Sequence, residues 1–332
     1  MTKQTKQVTF KIKRTDENKK TYIDTFKYDC DSATTVLQAL EAIKAELDGS
    51  LTFRRSCRAS ICGSCGMFIN DRSRLACRTK VSEMVDLDSD GEVILAIEPQ
   101  KNQPVIKDLV VDITPFYEKI EKNNPYIQEG AETVDAVDKN SYEQVNMVSN
   151  CIMCGSCYSD CTAMVENENY LGPAALAKMF RFVADPREGQ KKKRLKELSK
   201  KNGIWDCTRC GLCVDACPKG VAPMEAIVKL RSRAIDAGIT NNKGAKHAMV
   251  FKDDLAKHGL LNEFWMIPKT FGLVGAITQI PNAIHLAKKG KIPDIFPEKV
   301  EGVEEIDAIF KELKKNSIDV ETKEEDSGPG AG

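Results

Sequence analysis

Two cysteine runs constrain this chain more than any other feature of its sequence. Their members are Cys151, Cys154, Cys157 and Cys161 in the first run, and Cys207, Cys210, Cys213 and Cys217 in the second. Both runs have the spacing C-x2-C-x2-C-x3-C, which is typical of iron–sulfur cluster ligation. Two-residue gaps let three thiolates surround one cluster, and a short helical turn carries the fourth cysteine to a neighbouring cluster. The pattern therefore predicts two clusters, each with ligands from both runs.

Zinc and disulfides are the competing interpretations of these cysteines. Zinc takes four ligands, usually as two short pairs, and two runs of four cysteines match that pattern poorly. A disulfide framework is typical of exported chains, and residues 1–10 lack the apolar core of a signal peptide. Iron–sulfur ligation is the favoured interpretation.

A third cysteine group lies nearer the N-terminus. Cys57, Cys62 and Cys65, with Cys77 further on, have the spacing C-x4-C-x2-C…C of plant-type [2Fe-2S] proteins. Two alternating segments, 8–13 and 22–28, predict a strand hairpin. A helical pattern over 36–47 follows, with Asp31 or Ser32 as candidate N-cap residues. Two strands, a helix and a cysteine loop are the order of a β-grasp ferredoxin.

Glycines and arginines accompany these cysteines. Gly63 and Gly66 are expected to turn backbone N–H groups toward inorganic sulfide, and Gly155 and Gly211 to let the backbone pass close to it. The arginines of the first loop are Arg55, Arg58 and Arg78. Two interpretations of them stay open: they are solvated surface charges, or they offset an anionic cluster or dock a partner.

The chain is predicted to be an α+β protein with three parts. Residues 1–104 form the [2Fe-2S] ferredoxin domain, 105–239 an α-helical dicluster ferredoxin domain, and 240–332 a C-terminal extension. Prolines 99 and 104 mark the first boundary. Helices are expected after Pro173 and over 224–237. The basic stretch 187–201 is interpreted as a solvated helix face in preference to a phosphate or lipid site.

The C-terminal extension has no cysteine. It is apolar around residues 264–280, and its spacing predicts an amphipathic helix over 303–313. The tail from residue 322 is charged and then rich in glycine and proline, which predicts disorder.

Charge and hydropathy exclude some functions. Lys and Arg number 49 and Asp and Glu also number 49, so the charge balance gives no support to nucleic-acid binding. No apolar run approaches the roughly 20 residues of a membrane helix.

Cys30 lies outside the three groups and is predicted to be a small buried hydrophobe.

The motifs together resemble one family, the iron–sulfur (B) subunits of succinate dehydrogenase and fumarate reductase. The resemblance covers about residues 8–237. It depends on the segments 56–65, 104–112, 170–175, 205–207 and 217–219. It implies a relay that passes single electrons between an FAD-containing catalytic subunit and a quinone-reacting partner, with no substrate site in this chain.

The resemblance also implies the ligand sets. Cys57, Cys62, Cys65 and Cys77 would hold the [2Fe-2S] cluster; Cys151, Cys154, Cys157 and Cys217 the middle [4Fe-4S] cluster; Cys161, Cys207 and Cys213 the distal cluster. The usual family has a distal [3Fe-4S] cluster, because a non-cysteine stands where this chain has Cys210. Cys210 can supply the fourth ligand, so a second [4Fe-4S] cluster is expected, with [3Fe-4S] beside a spare thiol as the alternative.

A second departure concerns the quinone. The family's quinone pocket uses a proline, tryptophans and a histidine near the distal cluster, and this chain has Thr162, Val165, Glu166 and Thr208 there. Both departures resemble the type-E enzymes, including the methylmenaquinol:fumarate reductases. Those enzymes pair this subunit with a cysteine-rich CCG-domain subunit, so contact with the quinone pool is expected to be indirect.

Alternatives to this relay remain at this point. The chain could serve another dehydrogenase or a thiol-linked fumarate reductase, or act as a free-standing multicluster ferredoxin. The extension and the third cluster favour a fixed assembly. The expected location is peripheral to a membrane, on the cytoplasmic face by default or on the periplasmic face through co-export with the flavoprotein.

Overall fold

The structure is a computed structural model that describes residues 5–128, 138–291, 293–295 and 299–313. The chain divides into two compact units, Met1–Gly238 and Ile239–Gly332. The tail that the sequence predicts to be disordered lies outside the described residues. The domain boundaries at 104 and 239 stay predictions.

A five-stranded sheet forms the N-terminal part of the first unit. Its strands are β1 (Lys6–Thr15), β2 (Thr21–Cys30), β3 (Gly66–Ile69), β4 (Arg72–Leu75) and β5 (Val93–Glu98). The strand order is β2-β1-β5-β3-β4, and β1 pairs antiparallel with β2 but parallel with β5. Helix α1 (Val36–Glu46) follows the hairpin. The predicted hairpin, helix and cysteine-loop order is confirmed.

The core of this sheet follows the period-two alternation of its strands. Phe10, Ile12, Leu95 and Ile97 are fully buried, and Leu40 of α1 packs in the same cluster. Burying each such side chain contributes about 1.5–3 kcal/mol. The sheet is therefore rigid enough to fix the loop that carries the first cysteines.

Two sequence predictions concern the segment from the end of β2 to the start of α1, and one of them is wrong. Cys30 is fully buried in the core, as predicted. The predicted N-cap at Asp31 or Ser32 is wrong, because Thr35 caps α1 through a reciprocal capping box with Gln38. Asp31 instead accepts hydrogen bonds from the Ala33 N–H and the Thr34 hydroxyl, in the turn between β2 and α1.

The rest of the first unit is mostly helical. Its helices are α2 (Thr114–Glu121), α3 (Lys139–Ser149), α4 (Ser156–Ser159), α5 (Thr162–Glu166), α6 (Pro173–Ala184), α7 (Lys191–Leu198), α8 (Leu212–Asp215) and α9 (Pro223–Asp236). A small hairpin, β6 (Val105–Lys107) and β7 (Val110–Val111), precedes them. Helix α6 packs against α3, α7 and α9. The helices predicted after Pro173 and over 224–237 are confirmed, the second beginning at Pro223.

The basic stretch contains α7, and one of its residues is not solvated. Arg194 is 6% exposed and its Nε lies 3.0 Å from a Glu188 carboxylate oxygen. Its guanidinium also donates to the carbonyl oxygens of Asn123 and Asn124. The prediction of a solvated face therefore fails at this arginine, which ties α7 to the segment after α2.

The described part of the second unit contains the helices α10 (Lys243–His258), α11 (Glu263–Thr278) and α12 (Ile280–Lys288). Residues 303–313 are helical as well, as predicted. Large apolar side chains on α11 and α12 are exposed, and Leu273 and Val274 reach 78% and 77%. Among the helices that the structure describes, none combines the length and the hydropathy that crossing a bilayer needs.

Candidate iron-sulfur centres

The first cysteine loop directs backbone donors at a single sulfur. The Cys57 Sγ accepts hydrogen bonds from the N–H groups of Ala59, Ile61 and Cys62 at 3.4, 3.4 and 3.3 Å. This wrapping requires left-handed backbone at Arg58 and Ser60, whose φ values are 55° and 57°. Backbone N–H donors that surround a cysteine sulfur in this way are typical of iron–sulfur loops.

The four thiols of this group form two pairs. Cys62 interacts with Cys57, and the Ser64 hydroxyl, with help from backbone N–H groups, lowers the pKa of Cys62 to about 6. Cys65 interacts with Cys77, and burial raises the pKa of Cys65 to about 12. A binuclear cluster needs two thiolates on each iron, so two adjacent pairs fit that group.

The loop lies directly against the first cysteine run. Gly63 has φ of 73°, and a Cβ there would come within 2.8 Å of the Cys154 Cα. A Cβ at Gly66 would come within 2.5 Å of the Gln100 Nε2, which donates to the Cys154 carbonyl oxygen at 3.0 Å. The prediction that Gly63 and Gly66 turn backbone N–H groups toward sulfide stays a prediction, and of the two only Gly63 has left-handed backbone. Gly66 lies in β3, and close approach is what excludes a side chain there.

Further contacts join the sheet to the helical part. Asn102 donates through its Nδ2 to the carbonyl oxygens of Tyr158, Ser159 and Cys161. The Ser73 N–H donates to the Asp160 carboxylate. Gln100 and Asn102 had no predicted role, and only their position just before Pro104 could have indicated one.

The loop arginines have different partners. Arg55 and Arg58 both form ion pairs with Glu41, at 3.1 and 2.9 Å. The Arg78 Nη1 donates to the Pro218 carbonyl oxygen at 2.8 Å, beside the second run. Arg78 thus links the first loop to the dicluster part, while the other two hold the loop against α1.

The two cysteine runs adopt the same backbone conformation. Met153 and Arg209, each just before the second cysteine of its run, both have φ of 58°. Gly155 and Gly211, each just after it, have φ of 78° and 84° and precede α4 and α8. A repeated turn of this kind places the three closely spaced cysteines of each run around one concave space.

One group of thiols lines a cavity in the helical part. Cys151, Cys154, Cys157 and Cys217 face it together with apolar side chains such as Phe116. Burial raises the pKa of Cys157 well above its usual value, and the neighbouring Cys154 thiol adds to this rise. Thiolates are disfavoured in such a place unless positive charge compensates them, and iron supplies that charge.

The remaining four cysteines form the third group. Burial raises the pKa of Cys213 to about 12, with further increases from Cys207, Cys161 and Cys210. Burial also acts to raise the pKa of Cys210, but the Leu212 N–H and the Thr162 and Thr208 hydroxyls lower it overall. The Thr162 Oγ1 lies 3.8 Å from the Cys210 sulfur. The hydroxyls of Thr162 and Thr208 therefore both act on Cys210.

An iron–sulfur cluster and a single metal ion make different demands on their thiolate ligands. Within the described ranges, no three His, Cys, Asp or Glu side chains converge closely enough to hold one metal ion. Iron–sulfur clusters spread four thiolates around several metal and sulfide atoms, whereas zinc gathers them around one centre. Cys151, Cys154, Cys157 and Cys217 around one cavity are one of the ligand sets that the resemblance implies, and the three ligand sets stay predictions.

Two family models match the chain. The 2Fe-2S iron-sulfur cluster binding domain matches residues 9–118, and the 4Fe-4S dicluster domain matches residues 147–221. These matches support a [2Fe-2S] cluster in the sheet domain and [4Fe-4S] ligation in the helical domain.

Similar proteins agree with these domains. The fumarate reductase iron-sulfur subunit of Haemophilus influenzae is 38% identical over 221 residues, which cover 62% of this chain and 84% of that protein. The 8-methylmenaquinol:fumarate reductase iron-sulfur subunit of Wolinella succinogenes is 33% identical over 266 residues, which cover 78% and 82%.

The fold matches a solved structure too, a chain of the Mycobacterium smegmatis Sdh1 complex in the apo form. The TM-score is 0.64 at 21% identity, with 72% of this chain and 99% of that chain covered. This match shows the fold alone. The succinate dehydrogenase iron-sulfur subunit of Paracoccus denitrificans is 37% identical over 219 residues, which cover 64% of this chain and 82% of that protein. By its identity to these relatives, the chain belongs to the family of iron–sulfur subunits of fumarate reductase and succinate dehydrogenase.

Proposed function

We propose that this chain is the non-catalytic relay of its enzyme, with one [2Fe-2S] and two [4Fe-4S] clusters. When bound, these clusters accept and release single electrons. The observation that carries the proposal is the contact between Gly63 and Cys154, which places the first cysteine loop directly against the first run. Electron transfer requires a short separation between clusters. This contact holds the two cluster-binding loops together, so no large movement of the protein is required.

The proposed ligand sets follow the three groups of thiols. Cys57, Cys62, Cys65 and Cys77 hold the [2Fe-2S] cluster. Cys151, Cys154, Cys157 and Cys217 hold the middle [4Fe-4S] cluster, and Cys161, Cys207, Cys210 and Cys213 the distal one. The hydroxyl and N–H donors around Cys210 favour its thiolate form, which supports Cys210 as the fourth distal ligand.

The proposed partners are an FAD-containing catalytic subunit and a cysteine-rich CCG-domain subunit. Thr162 and Thr208 support the second partner, because they occupy the positions of the family's quinone pocket and act on Cys210 instead. The Wolinella alignment covers 78% of this chain, more than residues 1–238 provide, so it reaches into the extension. We therefore place this chain with the methylmenaquinol-linked enzymes, in contact with the quinone pool only through its partner.

The C-terminal extension is proposed as the docking region for the cysteine-rich subunit. Exposed aliphatic side chains on α11 and α12, with Leu273 and Val274 the most exposed, support this role because contiguous apolar surface usually marks an interface. A peripheral location at the membrane follows from this arrangement. The cytoplasmic face is the default side, and co-export with the flavoprotein would give the other.

The relay role is tested on the purified chain with its clusters and on the complete complex. Iron and sulfide analysis should give three clusters per chain. The chain alone should not reduce fumarate or oxidise succinate with an artificial electron carrier, whereas the complex should do both. Turnover by the chain alone would contradict the relay role, and fewer than three clusters would contradict the ligand sets.

A further inference from the structure

The Gln100 carboxamide lies in the contact between the sheet and the first cysteine run. This residue follows β5 closely and is 4% exposed. Its Nε2 donates to the Cys154 carbonyl oxygen at 3.0 Å and to the Ser73 Oγ of β4 at 3.3 Å. Its Oε1 accepts from the Gln103 Nε2 at 3.0 Å. Both ends of the carboxamide are therefore bonded, which holds the side chain in one orientation.

Two glycines leave room for this carboxamide, and each directly follows a proposed cluster ligand. A Cβ at Gly66, which follows Cys65, would lie 2.5 Å from the Gln100 Nε2. A Cβ at Gly155, which follows Cys154, would lie 3.1 Å from the Gln100 Oε1. Cys65 is a proposed ligand of the [2Fe-2S] cluster, and Cys154 is a proposed ligand of the middle cluster. The carboxamide thus lies between the backbones of ligands to two different clusters.

We propose that Gln100 is a positioning residue for electron transfer between the [2Fe-2S] and middle clusters, because its carboxamide ties β4 to the Cys154 backbone beside Gly66. The inference rests on the ligand sets proposed above. The exchange moves one electron, so one cluster is oxidised and the other is reduced, and no bond is made or broken. Since the rate of this exchange depends on the separation of the clusters, a residue that fixes the separation also sets the rate.

The alternative is that Gln100 is only one of several contacts that join the sheet to the helical part. Ser159 provides the comparison, because its Oγ accepts the Lys101 N–H at 2.9 Å. Ser159 is 2% exposed, and it bonds the residue next to Gln100. Ser159→Ala therefore removes a buried hydrogen bond between the same two segments and leaves the Gln100 carboxamide in place. A docking contact and a positioning residue then differ in what their loss does to the clusters.

The test replaces Gln100 with methionine in the full-length chain with its clusters. Gln100→Met keeps a side chain of similar length, but it removes the donor to Cys154 and the acceptor for Gln103. The rate of electron transfer between the two clusters is measured by flash photoreduction with substoichiometric electrons. We expect it to fall about tenfold, the lower end of the range seen when residues that hold metal ligands in place are replaced. Ser159→Ala should keep the wild-type rate.

A second measurement does not depend on electron flow. In the fully reduced chain both clusters are paramagnetic, and the middle cluster speeds the spin relaxation of the [2Fe-2S] EPR signal. Gln100→Met should lower the microwave power that half-saturates this signal, because the two clusters move apart, whereas Ser159→Ala should not. Reduction potentials measured on the same samples separate a change of distance from a change of driving force. A slower rate that comes with changed potentials and an unchanged half-saturation power contradicts the inference.

Gln100→Asn serves as a second variant if Gln100→Met does not fold, because its shorter amide cannot reach both Ser73 and Cys154. An unchanged half-saturation power in the variant that folds would overturn the inference, and so would an equal change in Ser159→Ala. Iron and sulfide analysis separates this outcome from a failure of the ligand sets. Three clusters per chain with an unchanged half-saturation power leave the ligand sets standing and the positioning role wrong. Fewer than three clusters in the wild type contradict the ligand sets and the inference together.

Discussion

Cys210 decides, at the scale of a single residue, which kind of distal cluster this chain holds. A cubane cluster needs a fourth ligand, and Cys210 lies with Cys161, Cys207 and Cys213. The Thr162 and Thr208 hydroxyls and the Leu212 N–H all favour its thiolate. A spare thiol would not need these donors, so we expect Cys210 to bind iron.

We predict that Cys210→Ala converts the distal centre to a [3Fe-4S] cluster. An oxidised [3Fe-4S] cluster is paramagnetic, whereas an oxidised [4Fe-4S]²⁺ cluster is EPR-silent. The air-free oxidised wild type should therefore give essentially no signal, and the variant should give one [3Fe-4S] signal per chain. Cys210→Ser should do the same unless the serine oxygen retains the iron.

The matched control is Cys30→Ala, which removes the cysteine that lies in the sheet core, outside the three groups. It should leave every cluster signal as in the wild type. A stoichiometric [3Fe-4S] signal from undamaged wild-type protein would contradict the assignment, and it would place the chain nearer the relatives that have three distal ligands.

At the scale of elements, the contact between the first cysteine loop and the first run depends on one missing side chain. A Cβ at Gly63 would lie 2.8 Å from both the Cα and the Cβ of Cys154. The Cys154 backbone cannot retreat easily, because the Gln100 Nε2 holds its carbonyl oxygen. A methyl group at this position must therefore separate the two cluster-bearing loops.

We predict that Gly63→Ala destabilises the protein by about 1–3 kcal/mol more than Gly238→Ala, the range expected for overpacking. The two glycines have nearly equal φ values, 73° and 75°, but nothing lies within 4 Å of a Cβ built at Gly238. The control thus carries the same backbone strain without the clash. Anaerobic urea unfolding of both variants measures the difference, and equal losses would show that the contact is not tight.

The same elements show what the sequence could predict. The spacing of the cysteines indicated iron–sulfur ligation, because that spacing is local, whereas the ligand sets, which exchange Cys161 and Cys217 between the two runs, came from the family resemblance and stay predictions. The left-handed turns at Met153 and Arg209 were not predictable, since neither residue is a glycine. The role of Gln100 was not predictable either, because it depends on how the sheet docks on the helical part. The burial of Arg194 was not predictable from the basic run that contains it, because it depends on an ion pair with Glu188, six residues earlier in the sequence.

At the scale of the whole molecule, the first unit contains all of the cysteines and the second contains none. The match to the Mycobacterium smegmatis chain covers nearly all of that chain but 72% of this one. Nearly all of that fold therefore has a counterpart in this chain, which has further residues besides. An addition with exposed aliphatic side chains needs a surface to cover it.

We predict that deleting residues 240–332 releases the cysteine-rich subunit while the flavoprotein stays bound. The reason is that the proposed docking surface lies on α11 and α12, and the first cysteine loop remains intact. Co-purification of the tagged chain from its native source, followed by native mass spectrometry, measures both partners. Loss of the flavoprotein instead would contradict the assignment of the extension.

A point variant sharpens this last prediction. Leu273→Glu should weaken the third subunit's binding at least tenfold, because it places a charge in an apolar interface, where an unpaired charge is strongly disfavoured. Ile23→Glu is the matched control, since Ile23 is an exposed aliphatic residue on β2, 58% exposed against 78% for Leu273. If Leu273→Glu keeps the third subunit but removes the complex from the membrane fraction, the apolar surface binds lipid and the docking proposal is wrong.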